Sequence, residues 1–191
     1  MPRILAFAGS TRNDSFNARL VRVASAAARD AGAEVTDINL RDYPMPLLDQ
    51  DYEAEHGKPE HAKRLTQLMV DHDGFLIASP EYNSSISGVL KNAIDWVSRP
   101  DDENSEPLVA FRGKVVTLMS ASPGGLGGLR GLVHVRAILG NIGCIVLPDQ
   151  VAISKAHEAF NEDGTLADEK QQQRIAMLGT TLAETLAKLH A

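Results

Sequence analysis

Ile4-Leu5-Ala6-Phe7-Ala8-Gly9-Ser10-Thr11-Arg12-Asn13-Asp14-Ser15-Phe16-Asn17 reads as three pieces in succession. The apolar run 4–8 is a strand buried on both faces, the hydroxyl-rich stretch is a turn, and an amphipathic helix opens near Asn17. Such a turn aims backbone N–H groups and the positive end of a helix dipole at one spot. Ser10, Thr11 and Ser15 add hydroxyl donors and Asn17 an amide N–H. Arg12 adds a guanidinium fork suited to a phosphate dianion. The stretch therefore reads as a phosphate-monoester site. The alternative is a plain strand-to-helix connection with Ser15 as its N-cap. No Gly-Lys-Ser/Thr follows, so it is not a Walker A turn, and it lacks the G-x-G-x-x-G dinucleotide pattern. Hydroxyls stand where those motifs place glycines, which suits a terminal phosphate better than a bridging pyrophosphate.

Working outward, Leu20, Ala24, Ala27, Ala28 and Ala31 recur at helical spacing and Gly32 ends that helix. The stretch 34–40 is a less buried strand carrying Val35, Ile38 and Leu40. Tyr43-Pro44-Met45-Pro46 breaks regularity, and an acid-rich loop is expected up to about Lys58. A helix over 60–71 turns Ala62, Leu65, Leu68 and Met69 inward. Strand three is 75–78, stopped by Ser79-Pro80, and a helix over 86–97 follows with Ile86, Val89, Leu90, Ala93, Ile94 and Val97 on one face. After the polar connection 101–111 come strand four (115–119), a glycine-rich turn (124–131) and a helix through Val135, Ile138 and Leu139. A short strand at 144–147, an irregular stretch with Phe160 and Gly164, and a last helix over 167–189 complete the pattern. Five apolar strands alternating with five helices predict a parallel sheet covered on both faces, in the doubly wound order 2-1-3-4-5. Ligands of such sheets sit beyond the carboxyl ends of the strands at a switch point. The loops after strands one, three and four carry unusual chemistry, and in that order those strands are neighbours.

The second loop, Ser79-Pro80-Glu81-Tyr82-Asn83, has a stiffening proline, a flat ring with a polar tip and an amide. Together these can hold the edge and face of a planar heterocycle; the alternative is an ordinary turn capped by Asn83 or Ser84. The third loop, Ser120-Ala121-Ser122-Pro123-Gly124-Gly125-Leu126-Gly127-Gly128-Leu129-Arg130-Gly131, lets backbone N–H groups approach a flat ligand closely. Its alternative is a flexible start to a helix.

Composition sets outer bounds. A chain of 191 residues with 43% hydrophobic and 23% charged residues is an ordinary single soluble domain spanning 1–191. A net charge of −6 argues against a general nucleic-acid binder. No signal peptide or membrane-length apolar run is legible, so a cytoplasmic setting is expected. The single cysteine, Cys144, forbids an internal disulfide, and with Gln150 rather than an arginine after it no phosphatase signature exists; it reads as a buried strand residue. No G-x-S-x-G elbow is present. The six histidines are scattered, with His56 and His61 solvated and His134 on a helix face, so no metal site is expected. Asp101, Asp102 and Glu103 read as a solvated linker.

The turn 9–17, the stretch Pro80-Glu81-Tyr82-Asn83 with its helix Leu90-Lys91-Asn92-Ala93-Ile94-Asp95-Trp96, and the turn 122–128 together resemble the NADPH-dependent FMN reductase family, in its bacterial chromate and quinone reductase branch. The resemblance covers nearly the whole chain. It implies a flavodoxin-like three-layer fold, with the FMN phosphate held by Ser10, Arg12, Ser15, Phe16 and Asn17. It places Pro80, Glu81, Tyr82 and Asn83 against the isoalloxazine ring, and Ser122 and Gly124 at the other ring edge. It further implies NADPH or NADH as co-substrate and a ping-pong cycle, with hydride arriving at flavin N5 and electrons leaving to a second substrate at the same place. N–H groups aimed near N1 would favour the reduced flavin's negative charge. Small-molecule acceptors implied are quinones, azo compounds, metal oxyanions or free flavin. The flavin does the chemistry, so no catalytic side chain is assigned.

The rival is a flavodoxin-like electron carrier without NAD(P)H turnover. Such carriers sandwich the ring between aromatics, and here only Tyr82 is well placed. Dimers and tetramers are usual in the family, and a homodimer or homotetramer is expected, built on the helix 86–97. Trp96 at the edge of its inward stripe should be partly uncovered, Gly88 on the opposite face should admit a partner's backbone, and Arg99 should reach a partner's acids or the acceptor's side of the flavin.

Overall fold

The computed structural model describes residues 1–101 and 105–190; the linker residues Asp102 and Glu103 lie outside them. In chain order the first half contains β1 (Arg3–Ala8), α1 (Phe16–Asp30), β2 (Glu34–Asn39), a 3-10 turn (Leu40–Asp42), α2 (Gln50–His56), α3 (Glu60–Asp71) and β3 (Gly74–Ala78). The second half contains β4 (Glu81–Tyr82), β5 (Ser85–Ile86), α4 (Gly88–Val97), β6 (Val115–Ala121), α5 (Leu129–Asn141), β7 (Ile145–Ile153) and α6 (Glu169–Leu189). Five strands pair in parallel in the order β2-β1-β3-β6-β7, which is the expected 2-1-3-4-5 once the small β4–β5 hairpin is counted apart.

The apolar runs explain the layers. The central strands β3 and β6 are buried at every position, and β1 at all but Arg3, so they need cover on both faces. One core lies between the sheet and α1 with α6, around Ile4, Leu20, Leu76, Met119 and Leu182. The other lies between the sheet and α3, α4 and α5, around Leu5, Leu65, Phe75, Leu90, Leu118 and Leu139. Helices α1 and α6 are in backbone contact: a side chain at Gly179 would place its Cβ 2.0 Å from the carbonyl oxygen of Ala24.

The structure departs from the sequence reading in several places. The loop expected between 43 and 58 contains α2, a helix with no buried residue. The Asp49 carboxylate caps it, and Glu53 accepts from Arg99 Nε at 2.8 and 3.0 Å. Arg99 is thus paired within its own chain. Just beyond, the ammonium of Lys58 is buried and donates to Thr66 Oγ1 (2.7 Å), Arg99 O (2.9 Å) and Asp101 (2.6 Å), so Asp101 is a counter-ion rather than a solvated linker residue. Burial pushes the Lys58 ammonium below its ordinary value, partly offset by the hydrogen bond and charge of Asp101. The helix expected from 86 starts at Gly88, capped by Ser87, because Ser85 and Ile86 belong to the hairpin. The last strand extends to Ile153, with a register shift opposite Val116–Leu118. Trp96 is 0% exposed, not partly uncovered. Its Nε1 donates to Pro46 O at 2.7 Å and Tyr52 packs edge-on at 6.4 Å, so α2 and the segment leading into it supply cover.

Candidate active site

The three loops singled out by the sequence meet at the carboxyl ends of β1, β3 and β6. In the first, Ser15 is the N-cap of α1, its Oγ accepting from Ala18 N–H at 3.3 Å. That use leaves its own proton free to donate, so capping and ligand binding are compatible. Asn17 is buried and its amide pairs both ways with the Ala121 backbone, at 2.8 and 2.9 Å, tying the first loop to the third. One Nδ2 hydrogen remains. The N–H groups of Phe16 and Asn17, in the first turn of α1, have no partner among the described residues. Arg12 is exposed, lies 5.9 Å above the Phe16 ring and makes only a long contact to Asp14 O. A residue the sequence reading missed steadies this loop. Arg41, from the 3-10 turn after β2, donates through Nε to Thr11 O at 2.9 Å and also reaches Asn13 Oδ1. No local pattern marks it, since its partner is 30 residues away.

The second loop is a hairpin. Asn83 and Ser84 form its two-residue tip with φ of 50° and 68°, the left-handed pair such tips require. Asn83 is exposed there, and Tyr82 keeps 53% of its surface open. Glu81 lines the mouth, but its carboxylate is engaged by the start of α5. Its carboxylate accepts from the N–H groups of Arg130 and Gly131 at 3.0 and 3.2 Å and from Arg130 Nε at 2.8 Å. Burial pushes the Glu81 carboxyl up, but these hydrogen bonds and the Arg130 charge outweigh it and hold it below the usual carboxylate range.

The glycines of the third loop serve packing as well as backbone exposure. A Cβ on Gly128 would stand 1.9 Å from Ser120 Oγ, and that hydroxyl donates to Ser79 O at 2.7 Å. Gly124 is exposed, its N–H donating to Ser122 Oγ at 3.3 Å. Gly125 meets nothing within 4 Å.

A cavity of about 60 Å³ sits where the loops meet, lined by Ser10, Arg12, Ser15, Phe16, Asn17, Pro80, Glu81, Tyr82, Ala121, Ser122 and Pro123. Nine of the eleven residues expected from the sequence line it; Asn83 and Gly124 do not. Enclosing ligand sites run to about 300–1,000 Å³, so this cavity is of a size for a phosphate group and not for a whole planar ring. The donor set of two hydroxyls, one guanidinium and two unpartnered helical N–H groups fits the phosphate of FMN. A larger cavity of about 480 Å³ runs beside it along β2 and shares Ser10 and Arg12. Its size does not make it the chemical centre, because the other two loops contribute nothing to its wall.

Comparison with known proteins places nearly the whole chain. A family model for NADPH-dependent FMN reductases matches residues 2–158. An NAD(P)H-dependent FMN reductase of Pseudomonas aeruginosa is 35% identical over 175 residues, covering 91% of this chain and 89% of its own. A 2-hydroxy-1,4-benzoquinone reductase of a Burkholderia species is 36% identical over 162 residues, covering 84% and 82%. Among solved structures, the flavoenzyme NAD(P)H:(acceptor) oxidoreductase FerB of Paracoccus denitrificans superposes with a TM-score of 0.80 at 27% identity, covering 98% of both chains. With the family model spanning β1 to β7 and relatives of this closeness along most of the chain, the protein belongs to the NADPH-dependent FMN reductase family.

Proposed function

We propose that the protein holds FMN at the mouth formed by the three loops and passes electrons from NAD(P)H through it to quinones. The observation that carries this reading is the small donor-lined cavity with an open rim. Bound FMN supplies the hydride-accepting and electron-donating chemistry. The chain's residues hold and orient: Ser10, Ser15, Arg12 and the first N–H groups of α1 take the phosphate. Pro80, Tyr82 and Ser122 border the ring. Of the charged side chains in the lining, Glu81 is engaged by α5 and Arg12 presents N–H donors, and no side chain is assigned as a proton donor or acceptor. The quinone acceptor is supported by the named activities of the relatives. An uncovered ring would also admit azo compounds, metal oxyanions such as chromate, or free flavin.

The electron-carrier alternative is disfavoured because Tyr82 is the one aromatic on the ring side of the cavity among the described residues; Phe16 stands at the phosphate side beneath Arg12, and Trp96 is buried elsewhere. A homodimer or homotetramer is part of the proposal. Its support is now the exposed pair Leu129 and Val133, one turn apart on α5, together with Leu126. The test is anaerobic mixing of protein, FMN and NADPH. Rapid bleaching that reverses on adding 1,4-benzoquinone is expected, and flavin that stays yellow refutes the proposal.

A further inference from the structure

Helix α5 begins without a cap of its own. Its N-cap position is Gly128, in the left-handed region, and no side chain at that position bonds to the first turn. The first four N–H groups of a helix need outside partners. Two of them, on Arg130 and Gly131, donate to the same oxygen of Glu81, 49 and 50 residues away in the chain. The other Glu81 oxygen accepts from Arg130 Nε at 2.8 Å and from a terminal nitrogen of the same guanidinium. The Glu81 side chain is only 7% exposed, whereas Arg130 is 55% exposed. One turn further along α5, His134 Nδ1 lies 2.9 Å from Ser85 Oγ and fastens the second strand of the hairpin. Gly131 permits the approach: a Cβ there would stand 3.2 Å from Ser85 O and 3.4 Å from Glu81 Cβ.

None of these contacts belongs to either apolar core. What they fix is the position of Pro80 and Tyr82 relative to Ala121, Ser122 and Pro123, which are two walls of the same cavity. We propose that Glu81 is a positioning residue that, through Arg130 and the first turn of α5, locks the second and third loops into one unit and so sets the cleft that receives the flavin ring. The inference rests on the flavin reading above. Both carboxylate oxygens are already engaged, so Glu81 acts on the ring through the loops and not by contact. The start of α5 is likewise not a free anion site, because the ligand its N–H groups and dipole favour is supplied from within the chain.

The test compares Glu81→Gln, Arg130→Gln and the double variant with the parent, as apoproteins titrated with FMN. Arg130→Gln alters an exposed side chain and leaves the carboxylate cap in place, so this variant folds. Kd, the visible absorption bands of the bound flavin and the Tm are read together. Each single variant should weaken FMN by about tenfold and move the flavin bands, and the double variant should be little worse than Glu81→Gln alone, as coupled partners behave. A lowered Tm with parental Kd and bands would reduce Glu81 to a plain helix cap and overturn the inference. Independent, additive losses would overturn it too. A parent protein that binds no FMN overturns the functional reading along with it.

Discussion

Replacing Gly128 by alanine tests how the third loop is built. The backbone at Gly128 has φ 94° and ψ 14°, a left-handed conformation that costs other residues about 1–2 kcal/mol. The new Cβ would stand 1.9 Å from Ser120 Oγ and 2.9 Å from Ser120 Cβ. Ser120 is fully buried and its hydroxyl donates to Ser79 O, so swinging it aside leaves a buried polar group unpaired, at about 1–3 kcal/mol. Rotation cannot move the Ser120 Cβ, so the loop backbone must yield as well. The two contributions together come to about 2–5 kcal/mol. For a chain of this size each kcal/mol lowers the Tm by about 2–4 °C, so the apoprotein should melt about 4–20 °C lower by circular dichroism. Gly125→Ala is the control. Its Cβ would meet nothing within 4 Å and its φ is not positive, so the apoprotein should be unchanged or gain about 0.4–1 kcal/mol. A Gly128→Ala protein melting within about 1 °C of the parent would refute the packing explanation and leave the glycine run as a flexible or ligand-facing segment.

Two further outcomes are expected. Arg12→Ala removes an exposed guanidinium with no strong partner in the chain, so the fold should survive while FMN affinity falls about ten- to a hundredfold in a fluorescence titration; unchanged affinity would move the phosphate elsewhere. Cys144 is 8% exposed, and burial pushes its thiol up to about 12, so the native protein should resist a thiol-directed disulfide reagent at pH 8 until denaturant is added. Because that value is raised on folding, the buried thiol's contribution to stability is present below about pH 9 and is lost as pH climbs towards 12; prompt native labelling at pH 8 would contradict the burial.

Much of this was legible in advance, and the gaps share a cause. The runs around Leu5, Ile77 and Leu118 declare buried parallel strands because both faces are apolar, and the unusual loops after them name the mouth. Helix α2 was not legible, because Gln50–His56 buries nothing and so has no apolar periodicity; an Asp49 cap and the ion pair to Arg99 hold it. The burial of Trp96 and the pairing of Lys58 with Asp101 depend on segments 43 to 50 residues apart, which no local window joins. In the candidate site, side-chain chemistry points to Ser10, Arg12 and Ser15, which do line one cavity, but it does not tell a residue that faces a cavity from one that faces another loop. Asn17 reads as an amide donor and the resemblance sets Glu81 against the ring, yet their polar atoms are largely engaged by Ala121, Arg130 and Gly131. Asn83 offers an amide in sequence, and in the structure it also occupies a left-handed tip where asparagine is favoured for backbone reasons.

The backbone contact between Gly179 and Ala24 bears on the order in which a growing chain becomes competent. Helix α1 follows the loop proposed to hold the phosphate, yet its buried side is closed by α6, a helix lying beyond the family-matched residues 2–158. At roughly 5–20 residues per second, a ribosome releases α6 on the order of ten seconds or more after α1. During that interval the nascent loop has its hydroxyls and arginine but no rigid backing, and the apolar side of α1 stays wet. Cofactor capture late in biogenesis is the expected outcome: arrested nascent chains ending before residue 169 should not retain FMN that chains carrying α6 hold, and retention by the shorter chains would show that α1 needs no such seal.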